Sequence, residues 1–178
     1  MIAMTESLID KVPHLRGEPL YIPFVGAIIE REHEGKKQIM VQIRDKTSDS
    51  VYKDVVEIPG GKFRAFEDVY ETLKREVKEE CGLDIVFVEN EEDRKDYENR
   101  GDLSSLLNPY CVTQMHGGPF IGLIFKCKAT GEPVEKTSET KEARWMDVGE
   151  LKDLVENNPE RVYTAFLAPL KKYTQETK

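Results

Sequence analysis

Residues 61–83 read GKFRAFEDVYETLKREVKEECGL, and the spacing inside this stretch decides how the rest of the chain is read. Five residues separate Gly61 from Glu67, seven more lead to Arg75-Glu76-Val77, and Glu79-Glu80, Gly82 and Leu83 follow. From Asp68 to Cys81 the apolar spacing is helical, and Gly82 stands where a left-handed cap ends a helix. Glu76, Glu79 and Glu80 then fall at i, i+3 and i+4, which puts three carboxylates on one helix face. Like charges so placed destabilise a helix by a few tenths of a kcal/mol per pair, and the negative end of the helix dipole adds to that. The arrangement calls for a compensating positive charge, and a hard divalent cation bound through oxygen supplies one. Phe66, Val69, Tyr70, Leu73, Val77 and Cys81 form an apolar stripe beside the acidic face, whereas Glu71, Lys74 and Lys78 point away from it. The carboxylates are therefore expected at the edge of a cleft.

Outward from this stretch, residues 24–30 and 38–44 read as strands of a hairpin turning at Glu34-Gly35. Residues 55–58 form a short strand broken by Pro59-Gly60-Gly61, where backbone can approach a ligand closely. Further strands are expected over 85–88, 110–114, 120–128 and 143–146, with helices over 150–156 and 161–173, the last bent by Pro169. Residues 89–108, charged in their first part, read as a solvated loop with room for a helical turn, with a substrate lid as the alternative. No internal repeat is present, and 178 residues suit one domain with an N-terminal extension over 1–20.

The stretch 61–83 resembles the Nudix box, G-x5-E-x7-R-E-U-x-E-E-x-G-U with U a bulky aliphatic, at every specified position. Seven positions demand one residue type, a coincidence expected by chance about once in 10⁸ windows at average residue usage. The resemblance implies an α/β (α+β) fold, the Nudix-type α/β/α sandwich with a mixed, curved sheet. It also implies divalent-metal-dependent hydrolysis of a pyrophosphate bond in a nucleoside diphosphate derivative: a nucleotide sugar, a nucleoside triphosphate or a dinucleoside polyphosphate. The metal would be Mg²⁺, with Mn²⁺ as a substitute, held by Glu76, Glu79 and Glu80, the Gly61 carbonyl and Glu57. Arg75 and Glu67 would support these ligands, with Arg75 orienting carboxylates or touching phosphate. Arg44, Lys46, Lys62 and Arg64 would contact phosphate. Glu79, Glu80, Glu139 and Glu142 are alternatives for the carboxylate that takes a proton from water. Two other readings share the fold, a non-catalytic nucleotide sensor and a diphosphate isomerase. The former usually shows broken box glutamates, and the latter needs a Cys and Glu pair not found here. About fifteen residues after the box, where ADP-ribose pyrophosphatases carry Pro, the stretch 93–99 has none.

Composition sets the setting. A net charge of −8 disfavours a grip on nucleic acid, and no apolar run approaches the roughly 18 residues that span a bilayer. Residues 1–20 lack the apolar core of a secretory signal, so a cytoplasmic protein is expected, with a small nucleotide as partner and a homodimer compatible with the N-terminal segment. Cys81, Cys111 and Cys127 are odd in number and lack a CxxC pair, which favours free buried thiols. His14, His33 and His116 lack metal-ligand spacing, while Tyr110, Phe120 and Trp145 suit either sheet packing or stacking on a base.

Overall fold

The computed structural model describes residues 12–45, 52–137 and 140–177. Its centre is the strand β3 (Ile22–His33), where Val25, Ala27 and Ile29 alternate with Phe24, Gly26 and Ile28. Both sets are apolar because both faces of the strand are covered. On one side helix α1 (Val69–Cys81) supplies Tyr70, Leu73, Val77 and Cys81 to a core with Val25, Ala27 and Ile29. On the other, α2 (Val148–Asn157) and α3 (Thr164–Glu176) bring Leu151, Val155, Phe166 and Leu170 against Phe24 and Ile28. Each such fully buried side chain contributes roughly 1.5–3 kcal/mol. The result is an α/β/α sandwich around a mixed, curved sheet, and no described helix is long and apolar enough to cross a membrane.

Along one edge β3 pairs in parallel with β11 (Phe120–Thr130), which also pairs antiparallel with β10 (Cys111–Met115) and β7 (Asp84–Val88). Its other edge forks. Residues 24–26 take β6 (Gly60–Lys62), whereas residues 30–33 take β4 (Lys36–Arg44). Past the fork β4 pairs with β5 (Val56–Glu57), and along its far edge with β12 (Thr140–Asp147). The segment from Glu57 to Gly61 therefore fills the gap where two strands part, and an Ala27 N–H bond to the Pro59 carbonyl at 2.8 Å closes it. This fork is what brings the glycine turn beneath the end of α1.

Most expected elements are present, several with longer bounds than the sequence implies. The stretch 89–108 is different: a helical turn is present, as a 3₁₀ turn (Glu91–Asp93), but in place of the loop there is a hairpin of β8 (Lys95–Asn99) and β9 (Asp102–Leu106). Its two-residue turn, Arg100-Gly101, has φ of 54° and 78°. The same left-handed pair occurs at Glu34-Gly35 and at Arg16-Gly17, which joins β1 (His14–Leu15) to β2 (Glu18–Pro19). Paired positive φ values make a connection whose twist matches that of the flanking strands. Cys81 and Cys127 are buried and Cys111 half-buried, all three free, and burial pushes the Cys81 thiol up to about 11. Helix α3 runs through Pro169, which is buried.

Phe66 corrects a second expectation. Asp68 caps α1, its side chain accepting from the Tyr70 N–H at 2.9 Å, so Phe66 lies before the helix and outside its periodicity. It is fully exposed and has φ of 67°. A left-handed backbone costs a residue with a Cβ about 1–2 kcal/mol, and no packing is there to lose. Phe66→Gly should raise stability by about 0.5–1 kcal/mol in urea unfolding, after allowing for the greater backbone entropy of glycine. A fall in stability would show that the Phe66 ring makes contacts that outweigh its strain.

Candidate active site

The acidic face of α1 is held by two sets of donors. Glu80, only 5% exposed, accepts through one oxygen, Oε2, from Gln42 Nε2 at 2.8 Å and from the Gly60 N–H at 2.9 Å. Both donors come from the fork. On the outer side Arg75 spreads over three carboxylates, donating to Glu67 from Nε at 2.7 Å and Nη2 at 2.8 Å, to Glu76 from Nη1 at 2.6 Å, and to Glu79 from Nη1 at 3.2 Å. Charge-assisted, partly bidentate bonds of this kind fix geometry as well as charge. Thr72 Oγ1 adds a bond to Glu67 at 2.8 Å, and Arg64 reaches Glu79 at 3.5 Å.

These contacts set protonation. Hydrogen bonds from Arg75 hold the Glu67 carboxyl at about 2, below its ordinary 4.5, and the bond with Glu67 in turn raises Arg75 above the usual guanidinium range. A depressed carboxyl stabilises the fold above its unfolded value and loses that contribution as pH falls through the folded one. The Glu67 contribution should thus be complete above about pH 4.5 and vanish toward pH 2. Thermal melts across this window should fall less steeply for Glu67→Gln than for the native chain, and equal slopes would refute the pairing.

The fork contributes the remaining charges. Glu57, buried, pairs with Arg44 at 3.1 Å, and the Arg44 guanidinium lies 4.4 Å from the centre of the Tyr163 ring. Glu57 and Gln42 are cross-strand partners, so their side chains leave the sheet on one side, and Gln42 then touches Glu80. Gly61, Glu76, Glu79, Glu80, Arg75, Arg64, Glu57 and Arg44 thereby meet in one region. The Lys62 side chain is exposed, and its carbonyl lies 3.5 Å from Arg75 Nη2. Glu142 stands exposed at a bulge of β12 with φ of 54°, and no hydrogen bond or ion pair joins it to the box carboxylates among the described residues. Lys46 and Glu139 lie outside the described residues. Sequence reasoning missed Gln42; its signal was a polar residue in the middle of an otherwise apolar strand.

Among the described residues no three Asp, Glu, His or Cys groups converge as a ready-made metal cluster, since Arg75 stands among Glu67, Glu76 and Glu79. The donor chemistry nonetheless fits a hard divalent cation: carboxylate oxygens and a glycine carbonyl, with no sulfur or imidazole. Gly61 forms part of this cradle, because a Cβ there would fall inside the Glu76 carboxylate. Gly61→Ala should displace that carboxylate, reducing turnover by about 10²-fold with little change in melting temperature, measured by steady-state kinetics beside thermal melts.

Strand register extends the site. Gly61, Val25, Leu123 and Val112 form one row across β6, β3, β11 and β10, and Pro23, Ile121 and Gln114 form the next on the same face. Helix α1 buries Val25, but Val112 and Ile121 are exposed, and at the margin Gln114 Nε2 donates to the Tyr21 hydroxyl at 2.5 Å. An apolar shelf with a polar edge thus leads away from the Gly61 turn. Tyr110 and Phe120 do not lie open for stacking. Tyr110 is bonded to Glu176 at 2.7 Å beneath Lys172, and Phe120 packs edge-on to Phe24 at 6.4 Å. Arg31 covers Trp145 at 4.1 Å.

A family model described as NUDIX domain matches residues 21–166. Among solved structures, a NUDIX hydrolase from Nitrosomonas europaea is 18% identical, covering 89% of this chain and 73% of its own, with a TM-score of 0.62. The NUDIX domain of Shewanella oneidensis NrtR, solved with ADP ribose, is 11% identical over 97% of this chain and 98% of its own, also at 0.62. A MutT NUDIX hydrolase from Burkholderia pseudomallei is 18% identical over 84% and 95%, at 0.52. At these identities the likeness is one of fold. A comparison with curated protein sequences found no match.

Proposed function

The chain belongs to the NUDIX domain family and is a Nudix hydrolase, and from that premise we propose that it cleaves the pyrophosphate link of a nucleoside diphosphate joined to a second group. Nudix hydrolases generally use divalent metals, and for this chain we assign Mg²⁺, with Mn²⁺ as a substitute, to Glu76, Glu79, Glu80, the Gly61 carbonyl and Glu57. When bound, such an ion draws charge from phosphate oxygens and acidifies the attacking water.

The observation that carries the reading is that Glu76, which abuts Gly61, and Glu79 are both held by Arg75 on the helix face that also carries Glu80. In this assignment Glu80 is held by two donors, Arg75 orients Glu76 and Glu79, and Arg44, Lys62 and Arg64 meet phosphate. Glu79, with a side chain 51% exposed, is the box carboxylate best able to receive a proton from water. Glu142 would need to approach from its bulge to do so. The exposed apolar shelf of Ile121 and Val112 suits the base of a nucleoside, a flat ring with a polar rim. ADP ribose in the Shewanella oneidensis domain is a ligand of the chemical kind proposed here.

Residues 1–178 are taken as one domain acting in the cytoplasm without nucleic acid; a homodimer is compatible with the N-terminal segment, and size-exclusion chromatography distinguishes it from a monomer. The reaction itself is tested by phosphate or pyrophosphate release, with coupled phosphatase, across nucleotide sugars, nucleoside triphosphates and dinucleoside polyphosphates, with and without Mg²⁺. Metal-dependent cleavage of a nucleoside diphosphate derivative is the expected result. Tight nucleotide binding with no cleavage of any member would replace the enzyme by a sensor.

A further inference from the structure

Gln42 is a polar residue of the site with no exposed surface, in a strand whose neighbours Ile39, Met40 and Val41 are apolar core. Burying an amide costs free energy unless its hydrogen bonds are made, and a half-satisfied one is a standing penalty. The Gln42 amide nitrogen donates to Glu80 Oε2 at 2.8 Å. A carboxylate accepts only, so this contact fixes which end of the amide is nitrogen. Oε1 is therefore the end turned elsewhere, and it is buried with no hydrogen-bond partner among the described residues. A leucine of similar volume would fill the position without that penalty. The retention of an amide here calls for a reason beyond packing.

We propose that Gln42 is a positioning residue for the metal site, its amide nitrogen aiming Glu80 and its Oε1 left to accept a hydrogen bond from water carried in with the cation. This rests on the divalent-metal assignment made above. Three observations converge on it: the Glu80 contact, the cross-strand pairing of Gln42 with buried Glu57, and the orphan oxygen. Mg²⁺ keeps several of its waters when bound by proteins, and those waters need acceptors. Groups that orient metal-binding side chains typically alter metal affinity by about 10–100-fold when removed.

The test measures divalent binding by the substrate-free protein, with Mn²⁺ followed by electron paramagnetic resonance and Mg²⁺ by calorimetry, for the native chain, Gln42→Leu and Gln42→Met. Both variants are expected to weaken binding by about 10–100-fold while retaining the native circular dichroism spectrum. Native affinity in a folded variant would overturn the proposal. Should neither variant fold, the side-chain amide resonances of Gln42 in the ¹⁵N-labelled native chain decide it, since they must shift in step with added Mg²⁺, and resonances that stay put would refute it. A native chain that binds no divalent ion at all would remove the metal assignment itself, a failure distinct from native binding that Gln42 variants leave unchanged.

Discussion

Glu80→Gln is expected to lower kcat by about 10²–10³-fold at saturating Mg²⁺ while leaving the melting temperature nearly unchanged. The separation of the two effects comes from the geometry. Gln42 Nε2 and the Gly60 N–H both donate to the same oxygen, Oε2, and a glutamine presents one carbonyl oxygen that can take both bonds. The buried position, the shape and these two hydrogen bonds survive, so the effect on the fold is expected to be small beside the effect on turnover. What disappears is a full negative charge in a nearly water-free place, where it is worth far more than at the surface. Steady-state kinetics beside thermal melts check both halves, and unchanged kcat would remove Glu80 from the site. Glu79→Gln is a useful companion, because Glu79 is half-exposed and its loss removes charge at the water-facing side of the same helix.

Gly60→Ala is expected to act on the fold instead, costing about 3 kcal/mol or more. In a chain of this size that corresponds to a fall of about 6–12 °C in melting temperature. Gly60 lies opposite Gly26 where β6 enters the fork. A Cβ at Gly60 would fall inside the Val25 carbonyl and 2.8 Å from the Gly26 Cα. Both obstacles are backbone of the central strand, which cannot swing aside as a side chain can. Relief requires moving β6 outward, and that breaks the Ala27 bond to Pro59 and the Gly60 bond to Glu80 as well. The neighbouring Gly61 faces a side-chain carboxylate, so its alanine variant should lose turnover more than stability. A Gly60→Ala protein melting within about 2 °C of the native chain would refute the close approach.

The helix, its C-terminal cap and the shared face of Glu76, Glu79 and Glu80 were legible because they depend on short-range periodicity and on the left-handed tolerance of Gly82. The hairpin at Glu34-Gly35 was legible for the same reason. Those at Arg16-Gly17 and Arg100-Gly101 were not read, although each carries the same residue-glycine turn, because the flanking strands are short and polar and lack an alternating apolar signal. Phe66 was assigned to the core from its position on an extrapolated helical face. Asp68, by capping the helix two residues later, ended the face before it.

What the sequence by itself determined is the local chemistry: three carboxylates, an arginine and two glycines at separations that helix and turn geometry convert directly into proximity. What only the tertiary structure decided is their environment. Glu80 is buried because β3 and β4 part and let Gly60 and Gln42 reach it, and Glu57 meets Arg44 because β5 lies along β4 beyond the fork. Gln42 and Glu80 are 38 residues apart in the chain. Contacts at such separations come from sheet pairing and the packing of α1 over it, and no periodicity within a single element encodes them.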